Sequence, residues 1–206
     1  MTLLAIDTTS AVATAALFRD GALITEREAD AAKKHAQTLL PLIDALLEEN
    51  GVTIGQIDRF AVDIGPGSFT GVRIGVSLVN ALAFAAGRQI NPVDALFALA
   101  LSAGETQRPV CAMLDARNGN AYAALYRADE VLIAPGAVEI ASFLPLVPQD
   151  AVFAGDVNTE VKAYPRARFV GLAALRQPER AQSEVEPLYL RPSQAERVKR
   201  ETSREA

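Results

Sequence analysis

The chain opens with three short apolar runs separated by turn residues. Leu3-Leu4-Ala5-Ile6 ends in Asp7, Thr8-Thr9-Ser10 is a turn of small hydroxyl residues, and residues 12–18 form the second run. Arg19-Asp20-Gly21 is a hairpin signal, and residues 23–28 form the third run. The pattern predicts three consecutive antiparallel strands. A dinucleotide-binding fold starts with β-α-β instead, so that class is excluded. The period then changes. Leu39, Leu40, Leu42, Ile43, Leu46 and Leu47 recur at spacings of three and four, which predicts a helix over 35–49 with one wide apolar face. Pro41 falls in its first turns, where proline is tolerated, and Gly51 stops it. Residues 59–64 predict a strand, 68–86 a long helix, 89–93 a strand, and 94 to about 103 a helix capped by Asp94. The order β-β-β-α-β-α-β-α predicts a mixed sheet flanked by helices.

The second half restarts in the same way. Residues 110–114 are apolar and end in Asp115, Ala116-Arg117-Asn118-Gly119 is a turn, and residues 120–127 predict a strand, with a third at 131–133. Ala13-Thr14-Ala15-Ala16-Leu17 and Ala121-Tyr122-Ala123-Ala124-Leu125 stand 108 residues apart, as do Asp7 and Asp115. The echo predicts two lobes, an N-terminal one over 1–104 and a C-terminal one over 105–192, each opening with a hairpin whose first strand ends in an aspartate. Beyond it, 139–144 predicts a helix, 151–154 and 168–171 strands, and 186–191 a short extended piece. Residues 193–206 are almost all polar and are expected to fray or to be disordered.

Composition narrows the chemistry. A chain of 206 residues with 50% apolar content has a real core, and its net charge of −5 makes it a poor candidate for strong nucleic-acid binding on its own. The single cysteine, Cys111, lies in an apolar run and reads as a buried core thiol. The single histidine, His35, rules out sites built on two imidazoles and reads as an exposed or capping residue at a helix start. No basic segment followed by an apolar one opens the chain, and the apolar helix after Gly71 is interrupted by Arg73, Ser77 and Asn80. A soluble, cytoplasmic protein without membrane contact is expected.

The densest glycine run, Gly65-Pro66-Gly67-Ser68-Phe69-Thr70-Gly71-Val72-Arg73-Ile74-Gly75, joins a predicted strand to a predicted helix, where phosphate is often bound. It lacks the lysine of a Walker loop, and its third glycine comes one residue late for a dinucleotide loop. The helix that follows is apolar almost all round. Val72, Val76, Val79, Ala83 and Ala86 make one face, and Gly71, Gly75, Leu78 and Leu82 a second. Two glycines inside a helix cost roughly 1 kcal/mol each relative to alanine. A partner interface formed by Gly71, Val72, Gly75, Val76, Leu78, Val79 and Leu82 is therefore expected, with Gly71 and Gly75 admitting a neighbouring helix. The alternative is a helix buried wholly within the chain.

The glycine run resembles the signature of the bacterial TsaB (YeaZ) family. Asp115-Ala116-Arg117 with Tyr122, Pro187-Leu188-Tyr189-Leu190-Arg191-Pro192, the opening Leu4-Ala5-Ile6-Asp7-Thr8-Thr9 and His35 with Leu39-Leu40-Pro41 are similar to it as well. The resemblance implies an α/β, two-lobed actin/Hsp70-like ATPase (ribonuclease H-like) fold, with duplicated mixed sheets flanked by helices. It implies a non-catalytic adaptor in the making of threonylcarbamoyladenosine next to the anticodon of tRNAs that read ANN codons. The expected partners are a TsaD-type catalytic paralogue, which carries the metal and the transferase site, and a TsaE-type ATPase. A homodimer is expected in their absence, and tRNA contact comes through the complex. No catalytic or metal-ligating residue and no firm cofactor site is expected in this chain; ATP and metal belong to the partner subunits. Asp7 stands where a magnesium-facing acid would be in an actin-like ATPase, but Thr8-Thr9-Ser10 lacks the glycines that wrap phosphates there. Its simpler role, like that of Asp115, is to accept turn N–H groups at a strand end. A stand-alone actin-fold ATPase or small-molecule kinase, a peptidase, and a chaperone-like interaction domain remain as alternatives.

Overall fold

A computed structural model describes residues 1–30 and 35–191. The expectation for the polar tail falls outside the described residues. The first sheet is built from β1 (Thr2–Asp7), β2 (Val12–Arg19), β3 (Ala22–Asp30), β4 (Arg59–Asp63) and β5 (Gln89–Val93) in the order β3-β2-β1-β4-β5. The first three strands form an antiparallel meander, and β4 and β5 run parallel to β1. The second sheet holds β6 (Val110–Asp115), β7 (Asn120–Arg127), β8 (Glu130–Glu139), β9 (Val152–Gly155) and β10 (Val161–Lys162) in the order β10-β9-β6-β7-β8. Its pairings repeat the same pattern of antiparallel and parallel neighbours. Strands β6, β7 and β8 each begin 108 residues after β1, β2 and β3, so the echo in the sequence is a repeat of architecture. The first hairpins differ by one step of register: Thr2 faces Arg19, whereas Val110 faces Tyr126.

Helices α1 (His35–Glu49) and α2 (Phe69–Ala86) cover one face of the first sheet. Their buried residues Leu39, Ile43, Leu46, Val72, Val76 and Val79 pack with Leu4, Ile6, Leu17, Phe60 and Val62 of the strands. Each such side chain contributes roughly 1.5–3 kcal/mol on burial. Helices α3 (Ala95–Leu101) and α5 (Ala167–Arg176) lie between the two sheets. One core therefore runs from Leu3, Ala5 and Phe18 through Leu96, Leu99 and Val170 to Ala112, Leu114 and Ala154. The second lobe is thinner. The short α4 (Ile140–Phe143) stands in place of α1, and no helix joins β9 to β10. Cys111 is buried there, and burial pushes its thiol up to about 12, as expected of an inert core cysteine.

Several expectations are corrected. Residues 168–171 are not a strand but part of α5, whose buried positions Ala167, Val170, Gly171 and Ala174 recur at helical spacing. A segment of four residues is too short to separate the two periods. The predicted helix over 139–144 shrinks because β8 continues to Glu139; a single turn of α4 and a 3-10 turn over Leu144–Leu146 follow. Leu40 is 43% exposed, off the buried face of α1, while His35 is buried and its Nε2 lies 3.0 Å from the carbonyl oxygen of Ser10. The chain also crosses back after residue 105. Helix α5 packs on β1, β2 and β4, Gln182 pairs with Ile90, and the N–H of Leu188 donates to the carbonyl of Ile64 at 2.7 Å.

Candidate functional site

The glycine loop is pressed against the first hairpin turn. The N–H of Ser68 donates to the carbonyl of Thr9 at 2.7 Å, and a Cβ on Gly67 would stand 2.6 Å from the Cβ of Thr9. A Cβ on Gly71 would run into the carbonyl of Thr8, and one on Gly75 into its hydroxyl; that hydroxyl donates to the carbonyl of Gly71 at 2.8 Å. The two helix glycines thus admit the chain's own first turn, not a neighbouring helix. This close approach repays their cost in helix propensity. Backbone of the first turn and of the glycine loop is in direct contact, and among the described residues no lysine lines the space beside it. The residues present do not fit a phosphate cradle.

Behind this seam lies a feature that the sequence pattern did not single out. Asp7 ends β1 and Asp63 ends the neighbouring β4, and both are fully buried. Asp7 Oδ1 accepts from the N–H of Thr9 at 2.8 Å and from its hydroxyl at 2.6 Å; Asp63 Oδ1 accepts from the N–H of Gly65 at 2.8 Å. Among the described residues the Oδ2 atoms of both lack a donor. Burial raises the Asp7 carboxyl to about 6 against the pull of the Thr9 donors. Burial and then the charge of Asp7 raise Asp63 well above the ordinary carboxylate range. A proton kept on Asp63 and donated toward Asp7 accounts for the effect of each group on the other. Asp94, the N-cap of α3, accepts from the N–H of Leu96 at 2.7 Å and is raised to about 6 by burial. Asp115 keeps the simpler role: it is exposed, and its Oδ1 accepts from the N–H of Arg117 at 2.8 Å. The sequence signal for Asp63 was an acid inside Phe60-Ala61-Val62-Asp63-Ile64, where only a held carboxyl is tolerated.

Of the seven expected interface residues, Gly71, Val72, Gly75, Val76 and Val79 are buried in the chain itself. Leu78 and Leu82 are only partly covered. They continue outward with Ile74 and the exposed Ala81, and Leu78 and Ile74 line a hollow of about 370 Å³ with Ala36 and Leu40 of α1. Leu82 lines a second hollow of about 400 Å³ with Leu40, Leu47 and Ile54. Phe84, farther along α2, is 89% exposed. With 18 residues and a mean hydropathy of 1.5, α2 reaches the length and apolarity of a membrane span, yet its buried face packs on β4 and β1. Asn80, one of the polar residues that interrupt this helix, pins the C-terminal segment: its Nδ2 donates to the carbonyl of Val185 at 2.8 Å and its Oδ1 accepts from that residue's N–H at 3.0 Å.

The end of that segment closes one wall of a cleft of about 840 Å³ between the lobes. Phe69 and Tyr189 stack with centroids 4.7 Å apart, and the Arg73 guanidinium sits 3.9 Å above the Phe69 ring. Arg73 Nε also donates to the Tyr189 hydroxyl at 2.8 Å. Arg191 Nη1 donates to the carbonyl of Ala116 at 3.0 Å, tying the segment to the turn between β6 and β7. Among the described residues no three His, Cys, Asp or Glu side chains come together as a metal-ligand set.

Two lobes with repeated 3-2-1-4-5 strand order and helices between them define an actin/Hsp70-like ATPase fold. A family model described as TsaD, tRNA N6-adenosine threonylcarbamoyltransferase, matches residues 28–188. The chain is 38% identical over 124 residues to the tRNA threonylcarbamoyladenosine biosynthesis protein TsaB of Haemophilus influenzae, covering 59% of this chain and 52% of that protein. It is 37% identical over 134 residues to TsaB of Escherichia coli, covering 63% and 57%. The solved structure of YeaZ from Pseudomonas aeruginosa superimposes with a TM-score of 0.76 at 28% identity, over 92% of this chain and 99% of that one. The chain belongs to this threonylcarbamoyltransferase family, in its TsaB (YeaZ) branch. The alignments span about half the length of the curated TsaB proteins.

Proposed function

We propose that this chain acts in threonylcarbamoyladenosine modification of tRNA, as a non-catalytic adaptor that docks the TsaD-type catalytic paralogue, together with the TsaE-type ATPase, and pairs with itself in their absence. The observation that carries the adaptor reading is the closed seam between Gly67 and Thr9. It presses the glycine loop onto the first turn, which supports reading the fold as a scaffold. The outer face of α1 and α2 supports docking. Leu40, Ile74, Leu78 and Leu82 form a shallow apolar surface on the first lobe. Such patches mark interaction sites. ATP and metal then belong to the partner subunits. The names of the TsaB relatives support the tRNA role.

The test is depletion of the protein in its own cell followed by mass spectrometry of tRNA nucleosides. Threonylcarbamoyladenosine falls, and a plasmid copy restores it. Unchanged levels of the modified nucleoside would end this reading.

A further inference from the structure

We propose that the cleft between the lobes seats unpaired RNA nucleotides, with Arg117 and Arg191 on phosphates and the rings of Tyr122, Tyr164 and Tyr189 against bases. The proposal rests on the tRNA-modification reading and names the part of the substrate that this chain would touch.

Three guanidinium groups line the cleft, and among the described residues none of them is paired with a carboxylate. Arg117 makes no side-chain hydrogen bond or ion pair among the described residues, Arg191 donates to one backbone carbonyl, and Arg73 is spent on Tyr189 and Phe69. Outside the cleft Arg27, Arg108, Arg166, Arg168 and Arg176 meet carboxylates, whereas others such as Arg59 and Arg180 bond neutral oxygens. Two acids share the cleft, and each already receives a backbone N–H at 2.8 Å: Asp115 from Arg117, and Asp156 from Asp115. The site therefore carries a local cationic excess on a chain whose net charge is −5.

Tyr164 is 46% and Tyr189 43% exposed at the cleft, and Tyr122 is half-buried. Aromatic faces beside guanidinium groups take unpaired bases and phosphates together, whereas a duplex offers neither an open base face nor a shape that enters a cleft. A volume of about 840 Å³ lies within the range of small-ligand clefts. Thr9 and Gly67, in contact with each other, form part of the lining beside these side chains.

The experiment uses the full chain and a short fluorescent single-stranded RNA, followed by anisotropy at low salt. Single-stranded RNA binds, and added salt weakens it. Arg117→Ala with Arg191→Ala, and separately Tyr164→Ala, each weaken binding about ten-fold or more with unchanged thermal unfolding. A duplex of the same sequence and AMP compete at least about ten-fold less well than the single strand. Absence of binding, binding that these variants leave unchanged, or equal competition by AMP or duplex would each overturn the proposal. Depletion separates the two readings. Lost nucleoside modification together with no cleft binding leaves the adaptor role standing and removes this one; normal modification removes the adaptor role whatever the cleft binds.

Discussion

Asp7 and Asp63 show how one residue pair holds two loops. Each carboxyl takes a turn N–H with one oxygen and faces burial with the other. Both groups titrate higher in the folded protein than in the unfolded chain, Asp7 at about 6. An acid raised in this way binds its proton more tightly in the folded state. Its contribution to stability is therefore greatest at low pH, declines as pH rises above the unfolded value near 4, and is lost above the folded value. Asp63→Asn keeps an acceptor for Gly65 and supplies a donor to Asp7 Oδ2. Urea unfolding at about pH 5 and about pH 8 gives a flatter profile for this variant than for the parent. At the higher pH the variant gains on the order of 1–3 kcal/mol relative to the parent. Parallel profiles would remove the proton kept on Asp63.

At the scale of the element, α2 divides its apolar surface between two tasks. Val72, Val76, Val79 and Ala83 face the first sheet, and Gly71 and Gly75 face Thr8. Leu78 and Leu82 are left toward the outside. Two substitutions of the same chemistry then separate. Val76→Glu buries a charge in the core and leaves little folded protein by circular dichroism. Leu78→Glu with Leu82→Glu keeps the fold and lowers association, read by light scattering for the homodimer and by pull-down for the catalytic paralogue. A folded double variant that associates as the parent does would place docking elsewhere on the chain. Periodicity found this helix and its excess of apolar surface. It could not find which glycine edge faces Thr8, because that contact is made by a turn some sixty residues earlier in the chain.

The two lobes are held as one body by what lies between them. Helices α3 and α5 share a core with both sheets, and α5 is clamped to β3 by arginines at its start. Glu26, whose side chain is 1% exposed, receives Arg166 at 2.8 Å and Arg168 at 2.6 Å, and Arg166 also meets Glu28. Glu26→Ala leaves two cations without their buried partner and lowers stability by about 1–3 kcal/mol, discounted for the partial exposure of both arginines. Glu49→Ala removes the surface partner of Arg27 and costs about 0.5 kcal/mol or less. Urea unfolding of the two variants side by side checks this, and equal losses would mean that the clamp is no more than a surface pair.

The linear order of apolar and polar residues determined the three-strand openings, the repeat at 108 residues, helices α1 and α2, and the absence of a Walker lysine. These are local properties: a period of two or of 3.6, a turn residue, a missing charge. The tertiary structure decided the rest. Residues 168–171 became helix because α5 has two sheets to pack between, and His35 became buried because Ser10 lies above it. Asp7 met Asp63 because β1 and β4 are neighbours in the sheet although far apart in the chain. The glycine run closed on Thr8 and Thr9 for the same reason. Contacts across a sheet depend on strand order and register, and neither is written in the spacing of residues along one strand.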